Sequence, residues 1–215
     1  MMQHCPIFYI YPMFKHVSWT VISDKHCDQL KKYFRIYTID ELALPFIEMY
    51  SNPLILLHPY FYPFQKWEDR LAMKFTHVRG VIGIDVADGD AISDYAVRLT
   101  NYALAMIVPS TFARDAYIRS GVKVPVHIVP HGVDSSWLST PKTVPQTFEE
   151  LAKLKERRKL KLILTYVMHS PYRKGLDILI NYYRQLSNER NDVLLVLKTN
   201  LGVGYFYKWE NYRGG

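Results

Sequence analysis

Three short segments carry residue types and spacings that can do chemistry. In the first, Arg173, Lys174 and Gly175 stand directly before an apolar run of helical period, Leu176–Ser187. A loop that enters a helix presents unpaired backbone N–H groups and the positive end of the helix dipole, so it attracts anions. Two cations add charge there, and a glycine lets a ligand approach the backbone. These features describe a phosphate site, or more plainly a solvated helix start. The second segment is Val126–Asp134. A strand ends at Pro130, Gly132 permits a tight turn, and Asp134 can cap or orient the segment after it. His131 lies in the same turn, which on physical grounds alone links a strand to a linker. The third is Asp85, the first polar residue beyond an apolar run, with Asp88-Gly89-Asp90 close behind. An Asp-x-Asp pair can hold a divalent ion on a diphosphate. The favoured reading is simpler: Asp88-Gly89 makes a turn, and Asp90 or Ser93 caps the next helix, with no metal bound. His58, at the end of an apolar strand, could line the same cleft or simply pack.

The elements that must hold these residues alternate between apolar runs and amphipathic stretches, which is the pattern of an α/β protein with a mainly parallel sheet. Strands are expected at Ile7–Tyr11, Arg35–Thr38, Leu54–His58, Val78–Asp85, Met106–Pro109 and Val126–Pro130. Between them lie helices over about Trp19–Phe34, Gln65–Ala72, Ile92–Ala103 and Thr111–Ser120. Ile22, Leu30 and Phe34 are expected core contacts of the first. Ser110 is placed to cap the last, and Gly121 to end it in a left-handed conformation. Pro59 and Pro63 make Tyr60–Phe64 a packed loop. Pro141 and Pro145 mark a linker, after which the pattern restarts. A charged helix runs to Lys159, and beyond it come strand Leu162–Val167, helix Leu176–Ser187 and strand Val193–Leu197. The expected organisation is a Rossmann-like domain over 1–140, a linker and charged helix over 141–160, and a partial second domain over 161–215.

Composition narrows the function. A hydrophobic fraction of 49% supports a real core. No apolar run reaches membrane-spanning length, and Met1–Pro6 does not resemble a secretion signal. Cys5 and Cys27 have neither metal-type spacing nor the number for a disulfide framework, and they suit a reducing cytoplasm as small buried side chains. Residues 1–150 hold 14 Lys and Arg against 15 Asp and Glu, whereas residues 151–215 hold 13 against 5. The basic excess lies wholly in the last part of the chain. It would attract ligand phosphates, an anionic membrane surface at the periphery, or nucleic acid. No helix-turn-helix, zinc or RNA-binding signature accompanies it, so nucleic acid is the weakest of these partners.

Two segments resemble glycosyltransferase family 4. Pro130-His131-Gly132-Val133-Asp134 is similar to the family's P-N/H-G-V-D turn, and Ala105–Phe112 to its D-x-V-I-x-P-S-x-F step, with Ala105 in place of the Asp. Arg173-Lys174-Gly175-Leu176-Asp177-Ile178-Leu179-Ile180 resembles its R-K-G-x-D-x-L-I segment. The resemblance covers roughly Val78–Lys198 and implies a GT-B-like architecture of two Rossmann-like domains. It implies transfer of a sugar, with retention, from a nucleotide-sugar to an acceptor hydroxyl. Lys174 would contact the donor diphosphate with Arg173 and Gly175, and Asp85 would face the acceptor as the catalytic group. His131, Gly132 and Asp134 would form the interdomain turn. No cofactor is implied beyond the nucleotide-sugar, which is a substrate. Two departures keep other readings open. Tyr166–Ser170 lacks the family's G-R pair, for which Arg173 or His169 would have to substitute. The chain also stops before the family's Glu pair, so the chemistry is expected to be incomplete within these 215 residues. The alternatives are a non-catalytic half-transferase that binds a glycan or partner, and a basic nucleic-acid-associated protein.

Overall fold

A computed structural model describes residues 6–15, 17–48, 50, 52–139, 143–167 and 171–199. The chain divides into two compact units, one ending at Asp134 and one beginning at Ser135. In the first unit the strands are β1 (Ile7–Tyr11), β2 (Ile36–Asp40), β3 (Leu54–Leu57), β4 (Gly80–Ile84), β5 (Ala105–Val108) and β6 (Val126–Ile128). All pair in parallel, in the order β2-β1-β3-β4-β5-β6. The helices are α1 (Ser18–Leu30), α2 (Phe64–Phe75), α3 (Asp94–Thr100) and α4 (Thr111–Arg119).

The strands are apolar on both faces because helices or loops cover both, as a parallel sheet requires. Alternate residues serve separate cores. Ile10, Ile55, Leu57, Val81, Met106 and Val108 pack with Phe64, Leu71 and Phe75 of α2, Leu99 of α3 and Tyr117 of α4. Tyr9, Tyr11, Leu56 and Ile84 pack on the other face with Cys27 of α1. The loop between β3 and α2 is packed as its composition suggests, with Pro59, Tyr60 and Pro63 buried and Tyr62 exposed. Ser110 caps α4, its Oγ accepting from Ala113 N at 3.2 Å, and Gly121 comes after it with φ +92°.

Three differences from the sequence expectations have local causes. α1 stops at Leu30, because Lys32 N and Tyr33 N turn back to Gln29 O and Leu30 O in tighter turns, and Phe34 is exposed. Its buried positions are Ser23 and Cys27, not Ile22 or Phe34. α3 begins only after Ser93, whose Oγ accepts from Ala96 N, so Ile92 lies before the helix.

In the second unit, α5 (Glu149–Arg158) precedes β7 (Lys161–Val167), α6 (Leu176–Glu189) and β8 (Val193–Thr199). β7 and β8 pair in parallel, from Lys161↔Val193 to Val167↔Thr199, in a sheet separate from the first. The α5 helix ends at Lys159, which adopts φ +51°. Pro141 lies outside the described residues, and Pro145 precedes one turn of 3-10 helix, Gln146–Phe148. Among the described residues, no helix is long and apolar enough to cross a membrane.

Candidate active site

In an open parallel sheet, ligands bind beyond the carboxyl ends of the strands, where neighbouring crossovers diverge. Here that place lies between β1 and β3, since β1 has β2 on one side and β3 on the other. His58 comes directly after β3 and is 1% exposed. Its Nδ1 lies 2.8 Å from Ser23 Oγ of α1, and its ring meets the Trp19 ring edge-on at 5.2 Å. Tyr9 Oη lies 2.7 Å from His26 Nδ1, and the His26 and His58 rings stack at 5.8 Å. The segment after β6 reaches the same helix. The His131 ring is 6.3 Å from that of His26, and Lys25 Nζ is 3.1 Å from Asp134 Oδ2.

Burial sets the protonation of this cluster. Desolvation pulls the His58 imidazole down to about 3, with a further push from His26 and His131. His26 and His131 are lowered for the same reason. At neutral pH the three rings are therefore uncharged hydrogen-bonding groups. Among the described residues no three His, Cys, Asp or Glu side chains are grouped to hold a metal ion.

Asp85 stands one residue beyond β4 and is 7% exposed. Its Oδ2 accepts from Phe61 N at 3.0 Å and its Oδ1 from Val86 N at 2.8 Å. It thereby ties the loop after β3 to the end of β4. Desolvation raises its carboxyl to about 6, against the opposing pull of those backbone donors. Such a group changes charge close to neutrality, as an acid–base group must.

His131, Gly132 and Asp134 lie in the segment after β6. His131 and Asp134 contact α1, but Gly132 has no left-handed backbone, and a Cβ there would meet nothing within 4 Å. Neither backbone nor packing demands glycine at that position.

The second unit holds the cationic segment. Gly175 adopts φ +67° at the N-terminus of α6, a conformation that favours glycine. Gly175 N donates to Tyr172 O and Leu176 N to Pro171 O, each at 3.0 Å, closing a turn over 171–176. Lys174 is exposed, and its Nζ lies 5.9 Å from the Tyr166 ring centroid at the end of β7. Arg173 is exposed beside it. Asp177, in the first turn of α6, has a buried Oδ1 with no hydrogen-bond partner among the described residues. Met168, His169 and Ser170 lie outside the described residues, and so does Cys5.

Sequence reasoning missed Tyr9, Ser23 and His26. The signal was present as Trp19, Ser23, His26, Cys27 and Leu30, which recur at helical spacing on one face of α1. That face is too polar to stand out as a core stripe.

No protein-family model matches the chain. Uncharacterized protein 356 of Sulfolobus islandicus rod-shaped virus 1 is 32% identical over 203 residues, 91% of this chain and 57% of that protein. Putative glycosyltransferase 45 of the Sulfolobus islandicus filamentous virus (isolate Iceland/Hveragerdi) is 29% identical over 117 residues, 52% of this chain and 29% of that protein. The chain thus spans little more than half of one relative and under a third of the other. The crystal structure of Anabaena Alr3699/HepE in complex with UDP and glucose matches with a TM-score of 0.62 at 15% identity, over 98% of this chain and 65% of that one. The chain shares the α/β fold of that UDP- and glucose-bound protein and is similar in part to a protein named as a glycosyltransferase.

Proposed function

We propose that the chain forms the acceptor-side domain and the opening of the donor-side domain of a GT-B-like glycosyltransferase. It would act on a nucleotide-sugar, transferring the sugar to an acceptor hydroxyl with retention, in the cytoplasm. The observation that carries this is the cationic turn at α6, where Gly175 takes the left-handed conformation and Lys174 is exposed. As the bond from sugar to diphosphate breaks, negative charge builds on the departing phosphate oxygens. Lys174, Arg173 and the N-terminus of α6 would stabilise it. On the first unit we assign Asp85 the acid–base role toward the acceptor. The segment His131–Asp134, docked on α1, is the turn that leads toward the donor side.

The test is calorimetric titration of the chain with UDP and GDP. Lys174→Ala removes one charge-assisted contact, for an expected loss of about 1.5–3 kcal/mol, or roughly tenfold to a hundredfold in Kd. Lys155→Ala, in the exposed basic run of α5, is expected to change binding little beyond a salt-screened attraction. Equal losses from both would show that diffuse charge attracts the nucleotide. An unchanged Kd for Lys174→Ala would remove the physical support for the donor site. Binding without sugar transfer, in a chain that includes the remainder of the donor side, would favour the non-catalytic reading.

A further inference from the structure

β8 reads Val-Leu-Leu-Val-Leu-Lys-Thr, and Lys198 is the one charged residue in that strand. Lys198 is exposed, whereas the middle of the strand is apolar and half-buried. Lys198 is the penultimate residue of β8, and its register partner is Tyr166, the penultimate residue of β7. Partners in register project to the same face of a sheet, and both stand at the carboxyl edge where α/β units bind ligands. Lys198 Nζ lies 5.2 Å from the Tyr166 ring centroid, and Lys174 Nζ approaches the same ring to 5.9 Å from the loop before α6. Among the described residues neither ammonium pairs with a carboxylate. Both cations thus lie beside one half-exposed ring, whose quadrupole neutralises neither. An anion with two charged groups would give each a partner.

We propose that Lys198 is a second phosphate-binding residue, which with Lys174 grips the two phosphoryl groups of a diphosphate. Tyr166 is the positioning residue between them. The proposal rests on the donor-binding reading above and extends it to a residue of β8. In this arrangement Lys198 supplies a second cation from the neighbouring strand, and the site spans the β7 and β8 edges together.

The experiment titrates the full chain with inorganic pyrophosphate and with UDP, at low and at high salt. Lys198→Ala is expected to weaken both ligands about tenfold or more, comparably to Lys174→Ala, and to flatten the salt dependence. Lys198→Arg retains most of the affinity. Tyr166→Phe keeps the ring and binds as the parent does, whereas Tyr166→Leu weakens binding while leaving the melting temperature nearly unchanged. If Lys198→Ala binds pyrophosphate as the parent does while Lys174→Ala is weakened, the role of Lys198 is overturned and the donor site stands. If the parent chain binds neither pyrophosphate nor UDP, the donor reading falls and takes this proposal with it. A loss from Lys155→Ala equal to that from Lys198→Ala would overturn the proposal in favour of diffuse attraction.

Discussion

A neutral imidazole at position 58 and a raised carboxyl at position 85 make the first unit respond to acid in opposite ways. In the unfolded chain His58 titrates near 6.5, and in the fold burial holds it at about 3. Between those values the unfolded state binds the extra proton, so this group's contribution to stability is full above about 6.5 and is lost as pH falls. Asp85 moves from 3.8 to about 6, so the native state holds the extra proton between those values. Its contribution is full below about 3.8 and is lost as pH rises through 6. From about pH 4 to 6 the two slopes oppose. Relative to the parent, His58→Gln should show a stability slope that is less positive by up to about 1.4 kcal/mol per pH unit, and Asp85→Asn one that is more positive. Urea melts across that window read both, and parallel curves for parent and His58→Gln would show that the ring is not held neutral by burial. The sequence displayed these residues unequally. Asp85 stands out as the first polar residue after an apolar run, and Lys174 as a cation before a helix. The partners of His58 lie 35 and 49 residues away, at Ser23 and Tyr9, where only the three-dimensional pairing of β1, α1 and β3 reveals them.

Elements were legible where burial is two-sided. β1, β3 and β5 are short apolar runs, and a strand covered on both faces leaves just that trace. Ends were less legible, because a helix stops where its backbone finds other partners, as the turns after Leu30 show. Two backbone positions test the packing. Gly83 sits in β4 where a Cβ would come within 2.5 Å of Met106 Sδ and 2.6 Å of the Tyr60 ring. Both neighbours are fully buried, so neither can move aside cheaply. Gly83→Ala is therefore expected to destabilise by about 1–3 kcal/mol, with a lowered Tm and an unchanged far-ultraviolet spectrum. Lys159 presents the converse case, a side chain in left-handed backbone at the end of α5. That conformation costs a non-glycine residue about 1–2 kcal/mol, partly offset by the greater chain entropy of an unfolded glycine. Lys159→Gly should stabilise the second unit by up to about 1 kcal/mol, seen as slower amide exchange in α5 and β7. Faster exchange in both would show that the left-handed turn is not what ends the helix.

At the scale of the whole chain, apolar burial and charge are divided between the two units. Every residue of the two buried clusters lies in the first unit, including the contacts made by β6. In the second, Leu160 and Val167 are the buried apolar residues among those described, whereas Leu164, Ile178 and Tyr182 are each more than half exposed. The positive charge is arranged in reverse, concentrated after residue 150. A unit that holds both buried clusters, a six-stranded sheet and helices over both of its faces has the requirements for cooperative folding. Residues 1–138 are therefore expected to fold alone. Ending at Leu138 keeps Asp134 away from a new carboxyl terminus and preserves its pair with Lys25. Thermal and urea melts of that fragment should show one cooperative transition, coincident by far- and near-ultraviolet dichroism, with the His58-dependent loss of stability below about pH 6.5 intact. The fragment should not bind pyrophosphate, because Lys174 and Lys198 are absent from it. A broad, non-cooperative melt with strong binding of a hydrophobic dye would show that the first core depends on the rest of the chain. Pyrophosphate affinity equal to that of the full chain would move the anion site from α6 to the first unit.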